Sequence, residues 1–116
     1  MFSAVLFGDL AAVQQLIDQG ADINAATDGQ EPLALACWLG HFEIVQALAE
    51  GKAELNGRQT DNFVPLTVAS GRGHVRIVRT LLEHKADITS TRTGAPAIFV
   101  AAEEGHSDIV RLLAES

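Results

Sequence analysis

The sequence predicts an all-α fold: a solenoid of stacked helix–turn–helix units joined by hairpin-like loops. Three observations carry this. Gly-His pairs recur at residues 40, 73 and 105, separated by 33 and 32. A fixed period in this range marks a repeat architecture. Ile-Val pairs recur in register at 44–45, 77–78 and 109–110. After each Gly-His the apolar residues fall at helical spacing: Ile44, Val45 and Leu48, then Ile77, Val78, Leu81 and Leu82.

The elements follow in order. "GDLAAVQQLIDQGADIN" (8–24) has the form of "GHFEIVQALAEGKAELN" (40–56) and "GHVRIVRTLLEHKADIT" (73–89). The first unit is therefore incomplete, at about 1–25, and the chain begins inside a helix with Met1 and Phe2. Full units follow at about 26–58 and 59–90, and a partial one closes at about 91–116, giving about three and a half repeats. Within a unit, Pro32 or Pro65 opens a short apolar helix, since a first-turn residue has no N–H to lose. Gly40, Gly73 and Gly105 stop that helix. A second helix runs from the Gly-His to Glu50, His84 or Ser116. Polar stretches such as "ATDGQ" and "STRTG" have turn chemistry.

The segments "GQEPLALACWLGHFEIVQALA", "NFVPLTVASGRGHVRIVRTLL" and "GAPAIFVAAEEGHSDIVRLLA" resemble the ankyrin repeat family at many fixed offsets. The family pattern is a turn Gly, Thr-Pro-Leu-His, two alanines, Gly-His, Val-Val, Leu-Leu and Gly-Ala-Asp-Val-Asn. The resemblance covers nearly the whole chain, and it implies protein binding without catalysis or cofactor. Asn24 in "GADIN" also resembles the asparagine that is hydroxylated in some ankyrin repeats.

The departures from that pattern are informative. The family's Thr slot holds Glu31, Val64 and Pro96, and its His slot holds Ala34, Thr67 and Phe99. In the last unit Pro96 sits one place early, so Ala97 takes the proline position. Lys52 and Lys85 stand where Gly20 stands in the first unit. If left-handed, each costs about 1 kcal/mol, with Gly51 expected to relieve the first. Neither end is conspicuously polar, as a terminal solenoid unit should be. We therefore expect a piece of a longer array or multidomain protein.

Composition narrows the function. The 116 residues suit one domain, and 47% hydrophobic with 20% charged suits a folded one. A net charge of −7 argues against nucleic acid or an anionic membrane as partner. No apolar run is long enough to span a bilayer, and the N-terminus has no basic leader. The single Cys37 fits a reducing compartment, cytoplasmic or nuclear. No catalytic constellation appears: there is no G-x-S-x-G, Walker A loop or G-x-G-x-x-G. His41, His74 and His106 occupy one repeated slot, spaced by roughly a helix-packing distance of 8–10 Å, too far apart to share a zinc ion. His84 reads as an unpaired surface histidine near a helix end, and Cys37 as a buried slot rather than a nucleophile.

The resemblance also assigns the binding surface. In ankyrin arrays the two residues before each Gly-His, with the loop tips, line a concave groove. Here the helix-end positions are Leu6 and Phe7, Trp38 and Leu39, Gly71 and Arg72, then Glu103 and Glu104. The loop tips supply Thr27, Asp28 and Gln30, then Thr60, Asp61 and Phe63, then Arg92, Thr93 and Ala95. Phe7, Trp38, Leu39 and Phe63 would form a desolvated centre, of the kind that hot spots use. Arg72 and Arg92 would meet acidic groups of a partner protein, and Asp28, Asp61, Glu103 and Glu104 basic ones. An adaptor, scaffold or secreted effector is the expected setting, and a small inhibitor of a single enzyme is the alternative.

Overall fold

The computed structural model describes residues 1–24, 31–55, 64–86 and 96–116. Among them lie eight helices: α1 (Phe2–Leu6), α2 (Leu10–Asp18), α3 (Pro32–Leu39), α4 (Phe42–Glu50), α5 (Pro65–Arg72), α6 (Val75–Glu83), α7 (Ala97–Glu103) and α8 (Ser107–Ala114). Successive helices pair as α1/α2, α3/α4, α5/α6 and α7/α8. The odd helices pack side by side in one layer and the even helices in another. The expected stack of helix–turn–helix units is what forms, with extents of 38 × 25 × 22 Å. The hairpin-like loops of the sequence reading fall outside the described residues.

One local device ends the first helix of every unit. There the residue after the left-handed glycine donates its N–H to an alanine carbonyl five residues back. The bonds are Asp9 to Ala4, His41 to Ala36, His74 to Ala69 and His106 to Ala101, at 2.9–3.1 Å. The glycines hold φ near +80°, as at Gly40 (81°) and Gly73 (78°), where a Cβ would crowd the following carbonyl. The second helix of each of the first three units ends the same way. Ala21, Ala53 and Ala86 donate to the carbonyls of Leu16, Leu48 and Leu81. This 6→1 bond is the Schellman closure, and it satisfies carbonyls the helix leaves open.

The left-handed residue in this second closure is Gly20, Lys52 or Lys85. Both lysines therefore carry the strain expected of them, with φ of 72° and 71°. Gly51 does not relieve it: its φ is −83°, in ordinary territory. A Cβ there would make ordinary contact, at 3.4 Å, with side-chain carbons of Ile17 and Ile23.

Helix starts also follow the chain chemistry. Pro32 and Pro65 occupy the first helical turn, after extended Glu31 and Val64. The displaced Pro96 becomes the N-cap of α7, and Ala97 opens the helix in the proline's place. Asp9 caps α2 by accepting the Ala12 N–H at 3.1 Å. Two expected boundaries shift slightly: α6 ends at Glu83 with His84 as its cap, and α8 ends at Ala114.

The core runs unbroken along the stack between the layers. Leu33, Leu66, Ile44, Leu48, Ile77, Leu81 and Ile109 are its largest fully buried side chains. Of the apolar positions read from the sequence, Leu82 and Val110 are half-buried rather than buried.

Candidate functional site: a half-exposed helix-end surface

Helix α3 is apolar over its whole length, and Pro32 to Cys37 are all buried. Its last two residues are not. Trp38 is 43% exposed and Leu39 38% exposed. The helix reaches out of the core there because Gly40 turns the chain away one residue later. The corresponding ends of α1, α5 and α7 are also open: Leu6, Phe7, Arg72, Glu103 and Glu104 are exposed, and Gly71 is intermediate.

Trp38 is neither a core residue nor a free one. The guanidinium of Arg72, one unit along, lies 4.2 Å from its ring centroid. A cation held over a tryptophan face is attracted by the ring's quadrupole. Beside this pair opens a cleft of about 350 Å³, lined by Trp38, Thr67, Val68, Gly71, Arg72, Val100 and Glu104. The floor is narrow by construction: a Cβ on Gly71 would come within 2.7 Å of Val100 Cγ1. Arg72 and Glu104 thus present opposite charges on an apolar cleft.

Of the residues singled out in the sequence, Trp38, Arg72 and Glu104 come together at this cleft. Leu39 and Glu103 lie exposed at the ends of α3 and α7. Phe7, 81% exposed, lines a different depression with Met1, Ser3, Ala4, Asp9, Ala12 and Leu16. Phe63, Asp28, Asp61 and Arg92, with the other loop-tip positions, lie outside the described residues. Thr67, Val68 and Val100 are cleft residues that the sequence reading missed. A signal was available, since each stands one helical turn before Gly71, Arg72 or Glu104 and so shares its face.

The repeated histidines have a stacking role. The ring of each packs over the left-handed glycine of the preceding unit. A Cβ on Gly8, Gly40 or Gly73 would come within 3.1, 2.8 or 2.7 Å of Cε1 of His41, His74 or His106. His106 Nε2 sits 3.2 Å from the Gly71 carbonyl. His74 faces the Trp38 backbone in the equivalent way, but its buried Nε2 is outside good hydrogen-bond geometry. Burial lowers the His74 pKa, Arg72 and His106 lower it further, and the Trp38 backbone opposes them. Among the described residues no three His, Cys, Asp or Glu side chains are placed to hold one metal ion.

His84, expected to be unpaired, is half-buried, and its Nδ1 lies 3.0 Å from the Thr80 carbonyl. Cys37 is fully buried, and burial pushes its thiol far above the usual range, so the reactive thiolate is suppressed. Asn24 uses its side-chain oxygen to accept the Glu54 N–H of the next unit at 2.8 Å. No described helix is long and apolar enough to cross a membrane.

Comparison with known proteins agrees with this architecture. The family model for ankyrin repeats (3 copies) matches residues 1–92 and 53–116. The chain is 37% identical over 62 residues to "Ankyrin repeat and KH domain-containing protein mask-1" of Caenorhabditis elegans. That alignment covers 53% of this chain and 2% of the relative, so the chain spans a small fraction of that protein. Paired helices, repeated Gly-His joints and a family match over the whole length lead to one assignment: the chain belongs to the ankyrin repeat family.

Proposed function

We propose that the chain is a non-catalytic module that binds a partner protein through the face formed by the ends of α1, α3, α5 and α7. Ankyrin repeats are generally protein–protein interaction modules, which gives the class. The observation that carries the reading is the exposed end of α3. Trp38 and Leu39 face solvent beside the cleft on a helix otherwise sealed in the core. Tryptophan and arginine are the residues on which binding energy concentrates. Arg72 stacked on Trp38 is already held, so it loses less freedom when it meets a partner. The cleft accepts one apolar anchor, with Arg72 and Glu104 selecting an acidic and a basic neighbour. Phe7, Leu39, Phe63 and Glu103 extend the surface, as do Asp28, Asp61 and Arg92 from the loop tips.

The test is affinity. A partner captured from source-cell lysate is purified and titrated against wild type and Trp38→Ala, with thermal melts for both. A folded Trp38→Ala chain should bind about 30-fold more weakly, as for a hot-spot truncation of about 2 kcal/mol. Equal affinity with the fold intact would remove Trp38 from the binding surface and the proposal with it.

A further inference from the structure

Arg72 and Glu104 line one cleft without pairing. Arg72 lies over the Trp38 ring, and neither charged side chain has an ion-pair partner among the described residues. They belong to successive units, and the guanidinium leans back over the unit before its own. Between the two charges the cleft is apolar and shallow. Val68 and Val100 line it, and a Cβ on Gly71 would already meet Val100 Cγ1 at 2.7 Å, so α5 and α7 close it from below. The Thr67 hydroxyl on the same wall has no hydrogen-bond partner among the described residues.

These features fall one per unit: a cation over the end of α3, an apolar floor on α5, a carboxylate at the end of α7. Packed helices set such features about 8–10 Å apart. Resting on the binding surface proposed above, we infer that its occupant is an extended segment of the partner protein that crosses α3, α5 and α7. The segment carries an acidic, an apolar and a basic residue at alternate positions. Every second side chain of an extended chain points the same way, about 6.5–7 Å on, and long charged side chains reach the remaining distance. Charge alone sets the order, so a basic-to-acidic segment fits by running the other way.

A helix fits this site worse. With its side chains it is about 10–12 Å across, whereas the cleft holds about 350 Å³ and ends on a closed floor. Its backbone groups are already paired, while an extended backbone has open N–H and C=O groups to offer the Thr67 hydroxyl. A doubly basic segment is the other competitor. At −7 the chain attracts cations from a distance, and local pairing with Arg72 must outweigh that attraction.

Trp38 is the chain's only tryptophan and there is no tyrosine, so its fluorescence reports on this cleft directly. The 116-residue chain is titrated with synthetic peptides blocked at both ends, which removes their terminal charges. The test peptide carries Glu-Ser-Leu-Ser-Arg between glycine-serine flanks. One control replaces its leucine with alanine, a second is doubly acidic and a third doubly basic. A fourth, Glu-Ala-Ala-Ala-Leu-Ala-Ala-Ala-Arg, sets the same three groups at helical spacing. The test peptide should shift Trp38 emission and bind about tenfold more tightly than each control. Arg72→Glu should make the doubly basic peptide the tightest, and Glu104→Arg the doubly acidic one, with circular dichroism reporting the fold of both. A wild-type preference for the doubly basic peptide would overturn the inference, since net charge would then choose the ligand. So would a preference for helical spacing, or emission unchanged by every peptide up to millimolar concentration. The module reading is tested apart from this: it stands if Trp38→Ala weakens the captured partner, whatever the peptides do.

Discussion

His74 is where the stack becomes sensitive to acid. Its ring is wedged between Gly40 and the Trp38 backbone, with the positive Arg72 close by. The folded chain therefore holds a proton at His74 less tightly than the unfolded chain, whose histidine titrates at its ordinary 6.5. Where the unfolded state binds more protons, stability rises with pH. The contribution is intact above pH 6.5 and is lost as pH falls through the lower folded value. Urea titrations from pH 8 to pH 5 should show this loss, and His74→Gln should show a shallower one. A His74→Gln slope equal to wild type would place the acid sensitivity elsewhere. Lys52 and Lys85 are strained in a different way, by backbone conformation alone. Glycine at either position should raise unfolding free energy by about 1 kcal/mol in chemical denaturation. Both lysines were legible in the sequence, because Gly20 shows what their slot demands. The inactivity of Gly51 was not legible, since which of two adjacent residues turns left-handed depends on where the 6→1 bond closes.

Helix pairs succeed or fail on how closely they approach. Gly71 lets α5 come so near α7 that a methyl group in its place would collide with Val100 Cγ1 at 2.7 Å. Valine is stiff at χ1 and cannot swing aside cheaply. Gly71→Ala should therefore cost about 1–3 kcal/mol, although alanine is the better helix former. Denaturant midpoints of the two chains check this, and a stabilised Gly71→Ala would mean that the helices part freely. Helix existence was readable from the Pro, Gly and apolar periodicities, and even the displaced Pro96 left α7 in register. The cleft between α5 and α7 was less readable. Its walls come from neighbouring units, so the helical spacing that sets Thr67, Val68 and Val100 on the faces of Gly71, Arg72 and Glu104 does not show that those faces meet at a cleft. The union of Arg72 with Trp38 was equally hidden, because a contact between units depends on stacking rather than on sequence spacing.

Across the whole molecule, the helix pairs in substantial contact belong to one unit or to adjacent units. Stability in such a chain is close to a sum of unit terms and neighbour interfaces. The inner units have two interfaces each and the outer ones have one. Amides of α3 to α6 should therefore exchange most slowly, near the global unfolding free energy, and those of α1, α2 and α8 sooner. Hydrogen exchange resolved by residue checks the order, and fastest exchange in α4 or α6 would contradict it. Two cations reinforce the central interface. Arg72 covers Trp38 in one layer, and Arg76 lies 4.0 Å from the Phe42 ring centroid in the other.

The glycine–histidine joint recurs in the same geometry at every described junction between units. In genetic terms, this makes the unit the natural quantum of change. Duplication or loss of one period of codons returns each histidine to a waiting glycine. A deletion of a few codons inside a helix pair leaves the joint on that side without its counterpart. Length variation between descendants of this gene should therefore come in whole periods, with the small remainder taken up between one helix pair and the next.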